Sequence, residues 1–168
     1  RNQYDVKVNF QRTDRHMIWG KYSLLDANVT AYPSLGEAEG AGIGGDAGTG
    51  HTFQQLATIG HTFVISPNLV LDGTLGYTRM SQYVTGTDYG KNYGTDVFHI
   101  PGTNGSDIKQ SGLPSFIFNT YAEIGQVNTW MPVGRTDETY SHTDNLTWTH
   151  GAHEFRFGFD LIRYHLNH

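Results

Sequence analysis

Three pairs of alternating segments, each pair joined by only a few residues, constrain this chain more than any other feature. In Tyr4-Asp5-Val6-Lys7-Val8-Asn9-Phe10-Gln11 the even positions are apolar and the odd positions polar. A strand repeats every two residues, so this segment sorts its side chains onto the two faces of a sheet. Arg12-Thr13-Asp14-Arg15 makes a tight polar turn, and His16 to about Leu25, carrying Ile18, Trp19 and Tyr22, resumes as a second strand. The second pair, Leu56 to Ile65 and Leu69 to about Tyr83, meets at Ser66-Pro67-Asn68, where Pro and Asn suit a turn and not a sheet interior. Along its later strand Leu69, Leu71, Leu75 and Tyr77 share a face with Gly73, and Asp72, Thr74, Gly76 and Thr78 take the other. The third pair, Thr139 to Thr149 and His153 to about Tyr164, turns at His150-Gly151-Ala152. There Phe155, Phe157, Phe159 and Leu161 face away from Glu154, Arg156, Gly158 and Asp160. The expectation is antiparallel β-structure with turns near Thr13, Pro67 and Gly151 and very little helix.

The hairpins, spanning about 4–25, 56–83 and 139–164, are separated by long connections at about 26–55 and 84–138. The first holds the Gly-rich run Gly40 to Gly50, and the second is rich in Gly, Asn, Thr, Asp and Tyr, with Phe116-Ile117-Phe118 as the best candidate for one extra strand. Because each strand reverses direction, the short turns fall at one end of the sheet and the long connections at the other. Connections beyond about 15 residues are uncommon in compact soluble domains, whereas short turns at one rim and long loops at the other are the rule in transmembrane barrels. Strands in hydrocarbon must satisfy every backbone group through neighbours, so such a sheet closes on itself. The fold class is therefore all-β, with antiparallel up-and-down hairpins forming part of a transmembrane β-barrel wall. A soluble β-sandwich is the competing fold, but it does not explain long loops on one side only. In the barrel, Leu69, Leu71, Leu75, Phe155, Phe157 and Phe159 face lipid, and Asp5, Lys7, Asp72, Thr74, Glu154, Arg156 and Asp160 face the lumen.

Composition agrees. Glycine (21 of 168 residues) and aromatics (13%) are frequent and charged residues (16%) sparse, as suits turns and pleated surfaces. A net charge of −5 lacks the basic footprint of a nucleic-acid binder. The absence of Cys excludes disulfides, thiol nucleophiles and Cys-based metal sites. Mean hydropathy is −0.46 and no stretch approaches the roughly 20 apolar residues of a spanning helix, which leaves barrel strands untouched as an option. The chain starts at Arg1 with neither an initiator Met nor a signal-peptide pattern, and so reads as processed, excised or partial.

Several motifs have bland readings that outweigh the sharp ones. The Gly-rich run lacks the Lys-Ser/Thr pair and following helix of a phosphate loop, and Asp46 lacks the Asp ladder of a calcium repeat. His150 and His153 flank a turn and do not share a helix face, so no metal or other cofactor is implied. There is no Gly-x-Ser-x-Gly elbow for a hydrolase, and Asp137 and Glu138 read as solvating a loop end, so no enzyme is expected. Among the loop aromatics, Tyr89, Tyr93, Tyr121 and Trp130 are the candidates for ligand contact, since rim loops meet a ligand first.

Three patches carry a family resemblance: Gln3-Tyr4-Asp5-Val6-Lys7-Val8-Asn9 through Trp19-Gly20-Lys21-Tyr22-Ser23; Gly60-His61-Thr62-Phe63 through Ser66-Pro67-Asn68-Leu69-Val70 to Leu75-Gly76-Tyr77-Thr78-Arg79; and Asp144-Asn145-Leu146-Thr147-Trp148 through His150-Gly151-Ala152-His153-Glu154-Phe155-Arg156-Phe157-Gly158. In order and spacing they resemble the barrel of a TonB-dependent outer-membrane receptor of the Oar-like type that bears a carboxypeptidase-regulatory domain. The resemblance implies energised uptake of a ligand across the bacterial outer membrane. The implied partners are outer-membrane lipid, the remainder of the barrel and its plug, and TonB. The chain shows no recognisable plug, TonB-contact segment or aromatic C-terminal residue, and six strands are about a quarter of a wall of about 22. A fragment with two open edges would also self-associate into an oligomer or fibre.

Overall fold

The computed structural model describes residues 1–33, 47–126 and 130–168. Its strands are β1 (Asn2–Thr13), β2 (His16–Ala31), β3 (Gly48–Ser66), β4 (Leu69–Gly86), β5 (Val133–His150) and β6 (His153–Asn167). They form one six-stranded sheet in sequence order, an up-and-down meander. The only helical elements among the described residues are a π-helical turn, Tyr93–Val97, and a 3-10 turn, Ile108–Gln110. A sandwich requires two packed sheets, and the described strands make one.

The hairpins turn at Asp14-Arg15, Pro67-Asn68 and Gly151-Ala152. Gly151 has φ +59°, a left-handed conformation that glycine enters without a Cβ penalty. The strands run further than the alternation that delimits hairpins at 4–25, 56–83 and 139–164. Val29-Thr30-Ala31, Gly48-Thr49-Gly50 and Val133-Gly134 all lie in strands. Gly and Thr in both parities erase the period-2 contrast there, although the backbone still pairs. Of the Gly-rich run, residues 40–46 lie outside the described residues, and Gly48 begins β3.

The chain divides into two compact units. The first comprises Arg1–Asp26, Phe53–Ser81 and Arg135–His168. Within it β1 and β2 pair Tyr4 with Leu24, Val6 with Tyr22, Val8 with Gly20 and Phe10 with Ile18. β5 and β6 pair Trp148 with Phe155, Leu146 with Phe157 and Asp144 with Phe159. Residues directly opposite share a face, so β1 and β6 each present a continuous apolar row, with Asp5, Lys7, Glu154, Arg156 and Asp160 in the alternate positions. These apolar side chains are not in a core: Val8 is 62% and Phe157 58% exposed. Among the described residues the buried apolar side chains are Ala47, Leu113 and Met131, none of them in this unit. A sheet that leaves a wide apolar face uncovered needs an apolar medium or partner against it.

The second unit comprises Ala27–Thr52 and Gln82–Gly134. It is organised around Asp88, whose side chain is 1% exposed and whose Oδ2 accepts a 2.6 Å hydrogen bond from the Leu113 amide. Gly112 N donates to Lys91 O at 2.6 Å, and Gln126 N to Leu113 O at 3.1 Å, which ties the middle of the connection to its start and end. Phe116-Ile117-Phe118 does not form the extra strand expected of it. Phe116 makes a single bridge to Ile124, and Ile117 is exposed. The Phe-Ile-Phe run is apolar enough for a strand, but among the described residues its pairing stops at that one bridge.

Candidate functional site

In the first unit, the alternation that puts Phe155, Phe157 and Phe159 on one face of β6 fixes what β5 places beside them. Asp144 opposes Phe159 and His142 opposes Leu161, so a carboxylate and an imidazole sit in the apolar row. His142 Nε2 lies 2.8 Å from Asp144 Oδ2. Glycine at position 73 makes room for their neighbours: a methyl group there would fall 2.6 Å from Asp144 Oδ1 and 2.6 Å from His61 Nε2. The His61 ring meets that of His16 edge-on at 5.4 Å, and His16 packs against Phe63 at 4.9 Å. His16 Nε2 and His61 Nδ1 are buried without a hydrogen-bond partner among the described residues. The groups border a cavity of about 310 Å³ whose apolar walls include Ile18, Ile59 and Leu75. This polar row was not singled out from sequence. Counting back by twos from Trp148 through Leu146 reaches Asp144 and His142, which is the signal that could have found it. Among the described residues no group of three or more His, Cys, Asp or Glu is placed to hold a metal ion.

Glu138 is a second polar centre and corrects the reading of Asp137 and Glu138 as loop-end solvation. The Tyr77 hydroxyl donates to Glu138 Oε1 at 2.9 Å, Arg79 Nε stands 3.7 Å from the same oxygen, and His165 Nδ1 is 4.0 Å from Oε2. Asp137 Oδ1 lies 3.0 Å from His168 Nε2. Strand β5 begins at Val133, so both carboxylates are inside a strand and each acquires cross-strand partners.

The opposite face is polar and largely self-bonded. Ser23 Oγ donates to Asp5, Thr62 Oγ1 to Asp72 at 2.6 Å, and Thr143 Oγ1 to Asp160 at 2.9 Å. Arg156 Nε bonds Glu154 at 2.9 Å, and Lys7 Nζ sits 5.2 Å above the Trp19 ring. The Trp19 ring in turn lies over Gly60, where a Cβ would stand 2.6 Å from it.

The four loop aromatics, all in the second unit, do not converge on one site. The Tyr83 hydroxyl donates to that of Tyr89 at 3.1 Å. Lys91 Nζ sits 5.6 Å above the Tyr93 ring, and Tyr121 is exposed. Trp130 is half exposed and lines a cleft of about 210 Å³ with Thr49, Thr52, Gln82, Val84 and Met131. His150 and His153 pair directly across the hairpin turn, with Trp148 stacked on Phe155 at 5.4 Å beside them.

Compared with known protein families, the chain matches the outer membrane beta barrel domain over residues 1–168. It belongs to that family. No curated protein and no solved structure matches it. For an outer-membrane β-barrel domain the all-antiparallel meander and the uncovered apolar face have a direct physical meaning: the sheet is barrel wall and its place is the bacterial outer membrane. Barrel membership also explains why a sheet of this size carries no buried apolar core of its own among the described residues.

Proposed function

We propose that this outer-membrane β-barrel domain is a wall segment of a TonB-dependent receptor that takes up a ligand across the outer membrane with energy supplied through TonB. One observation carries the reading: hairpins with two-residue turns, one apolar face and one polar self-bonded face recur in the order and spacing of the three receptor-like patches. On this reading Leu69, Leu71, Leu75, Phe155, Phe157 and Phe159 contact outer-membrane lipid. Asp5, Lys7, Asp72, Glu154, Arg156 and Asp160 face the lumen and its plug. Tyr89, Tyr93, Tyr121 and Trp130 belong to the loops that first meet the ligand. The partners are the rest of the wall, the plug and TonB.

The test is nutrient depletion from defined medium, followed by mass spectrometry, in the parent strain, a strain lacking this protein and a strain lacking TonB. At least one compound should remain unconsumed in both mutants. A compound that the TonB-less strain consumes normally while the strain lacking this protein leaves it untouched would count against energised uptake.

A further inference from the structure

We propose that the Trp130 cleft binds an uncharged, hydroxyl-bearing ring, the chemistry of a pyranose unit in a neutral glycan. The proposal rests on the receptor reading and names the ligand class for that reading. Three features of the cleft lead to it.

The first is charge. The described residues that line the cleft are Val, Ala, Gly, Thr, Gln, Trp and Met, with no ionisable side chain among them. Among these residues a carboxylate, phosphate or ammonium group would find no opposite charge to offset the water it gives up. A neutral group escapes that penalty.

The second is the pairing of an aromatic plane with small polar groups. Trp130 is 50% exposed and lines the cleft, so half of its surface is open for contact. An indole offers a large rigid apolar surface with a polar N–H at its edge. The axial C–H groups of a sugar ring match that surface. Thr52 and Gln82 supply a hydroxyl and an amide that both donate and accept, which is the pattern a ring of hydroxyls requires. Gln82 Nε2 already donates to Thr52 Oγ1 at 3.3 Å, so these groups are held in place before a ligand arrives.

The third is size. At about 210 Å³ the cleft is below the usual range of about 300–1,000 Å³ for sites that engulf a whole drug-sized ligand. It suits one ring, or one unit of a longer chain, and not a multi-ring metal chelate. Gly48 and Gly50 keep its strand side low. At Gly48 a Cβ would collide with the Thr85 carbonyl, so that position cannot carry a side chain without moving β4.

The test is equilibrium binding to the intact receptor purified from outer membranes in detergent. Maltotriose, cellotriose and chitotriose serve as neutral probes, and ferric citrate and spermidine as charged ones. At least one neutral trisaccharide should bind saturably and at least tenfold more tightly than either charged probe. Trp130→Ala should weaken it tenfold or more, Trp130→Phe should restore part of the loss, and Ile117→Ala, at an exposed position outside the cleft, should leave it unchanged, with circular dichroism confirming the fold of each variant. No saturable saccharide binding, equal binding of a charged probe, or an unchanged affinity in Trp130→Ala would overturn the proposal. Binding needs no TonB, so a receptor that binds trisaccharide while uptake ignores TonB sinks the uptake reading alone. TonB-dependent uptake of a charged compound together with failed trisaccharide binding sinks this one alone.

Discussion

His142 Nε2 and Asp144 Oδ2 are 2.8 Å apart on the same face of the sheet as Phe155, Phe157 and Phe159. In water, a pair with side chains about 40% accessible contributes little, typically below about 1 kcal/mol. In hydrocarbon an ionisable side chain persists by pairing, and partners of this kind mark functional positions in membrane proteins. The medium therefore sets the strength of the pair. A double-mutant cycle of His142→Leu and Asp144→Leu, read by urea unfolding from lipid vesicles, should give a coupling above about 1 kcal/mol. A coupling near zero would place this part of the face in water.

Gly73 is the closest-packed point of the same row, because its missing side chain is the space that His61 and Asp144 occupy. Gly73→Val should force both aside and destabilise the folded barrel by about 1–3 kcal/mol. Gly76→Ala meets a single movable group, Ser141 Oγ, and should cost less. The comparison is made on the folded fraction in semi-native gel electrophoresis, and a Gly76→Ala loss equal to that of Gly73→Val would refute the crowding argument.

Much of this fold was legible before any coordinates. Period-2 contrast located the hairpins because β1, β4 and β6 contain stretches where apolar and polar residues alternate and each has a partner segment across a short turn, and Pro67 and Gly151 marked two of the turns by their backbone preferences alone. What escaped was whatever depends on register. The face of His142 and Asp144 is defined by pairing with Leu161 and Phe159 across a turn, and the Ser/Thr-rich sequence of β5 hides its parity. Glu138 acquired its role from Tyr77, which is 61 residues away in sequence. The Asp88–Leu113 contact spans 25 residues of irregular chain and has no local pattern at all. The same limit applies to the aromatic candidates: composition found Trp130, but only the fold placed Thr52 and Gln82 around it.

Charge on the apolar face separates lipid exposure from lumen exposure. Leu71→Arg and Phe157→Arg should each destabilise the protein in bilayers by about 2–4 kcal/mol if they sit near the midplane. Thr74→Arg, on the alternate parity of β4, should change stability by less than about 1 kcal/mol. Unfolding titrations in vesicles measure all three. Equal costs on both parities would mean that the Leu and Phe rows do not face lipid.

Asp88 gives the second unit a pH dependence whose sign can be worked out. Burial raises its carboxyl above the ordinary 3.8, while the Leu113 amide, its own backbone amide and the charge of Lys91 pull the other way and only partly offset it. A raised folded-state pKa means that the folded unit favours the protonated acid more than the unfolded chain does. The resulting stabilisation is fully present below the ordinary value and is lost as pH rises through the raised one. At neutral pH the unit therefore carries the cost of a buried carboxylate. Asp88→Asn removes the charge and keeps an acceptor for the Leu113 amide, and Gly112, with φ +101° and the carboxylate 2.9 Å from where its Cβ would be, need not move. At pH 7 the variant should melt higher than the wild type when the unit is followed through Trp130 fluorescence, with both proteins carrying Trp19→Phe and Trp148→Phe so that Trp130 is the sole indole. The difference should shrink as the buffer is taken from pH 7 toward 4, because acid removes from the wild type the same charge that the substitution removes. A difference between the two proteins that does not change with pH would show that Asp88 acts through its hydrogen bonds alone.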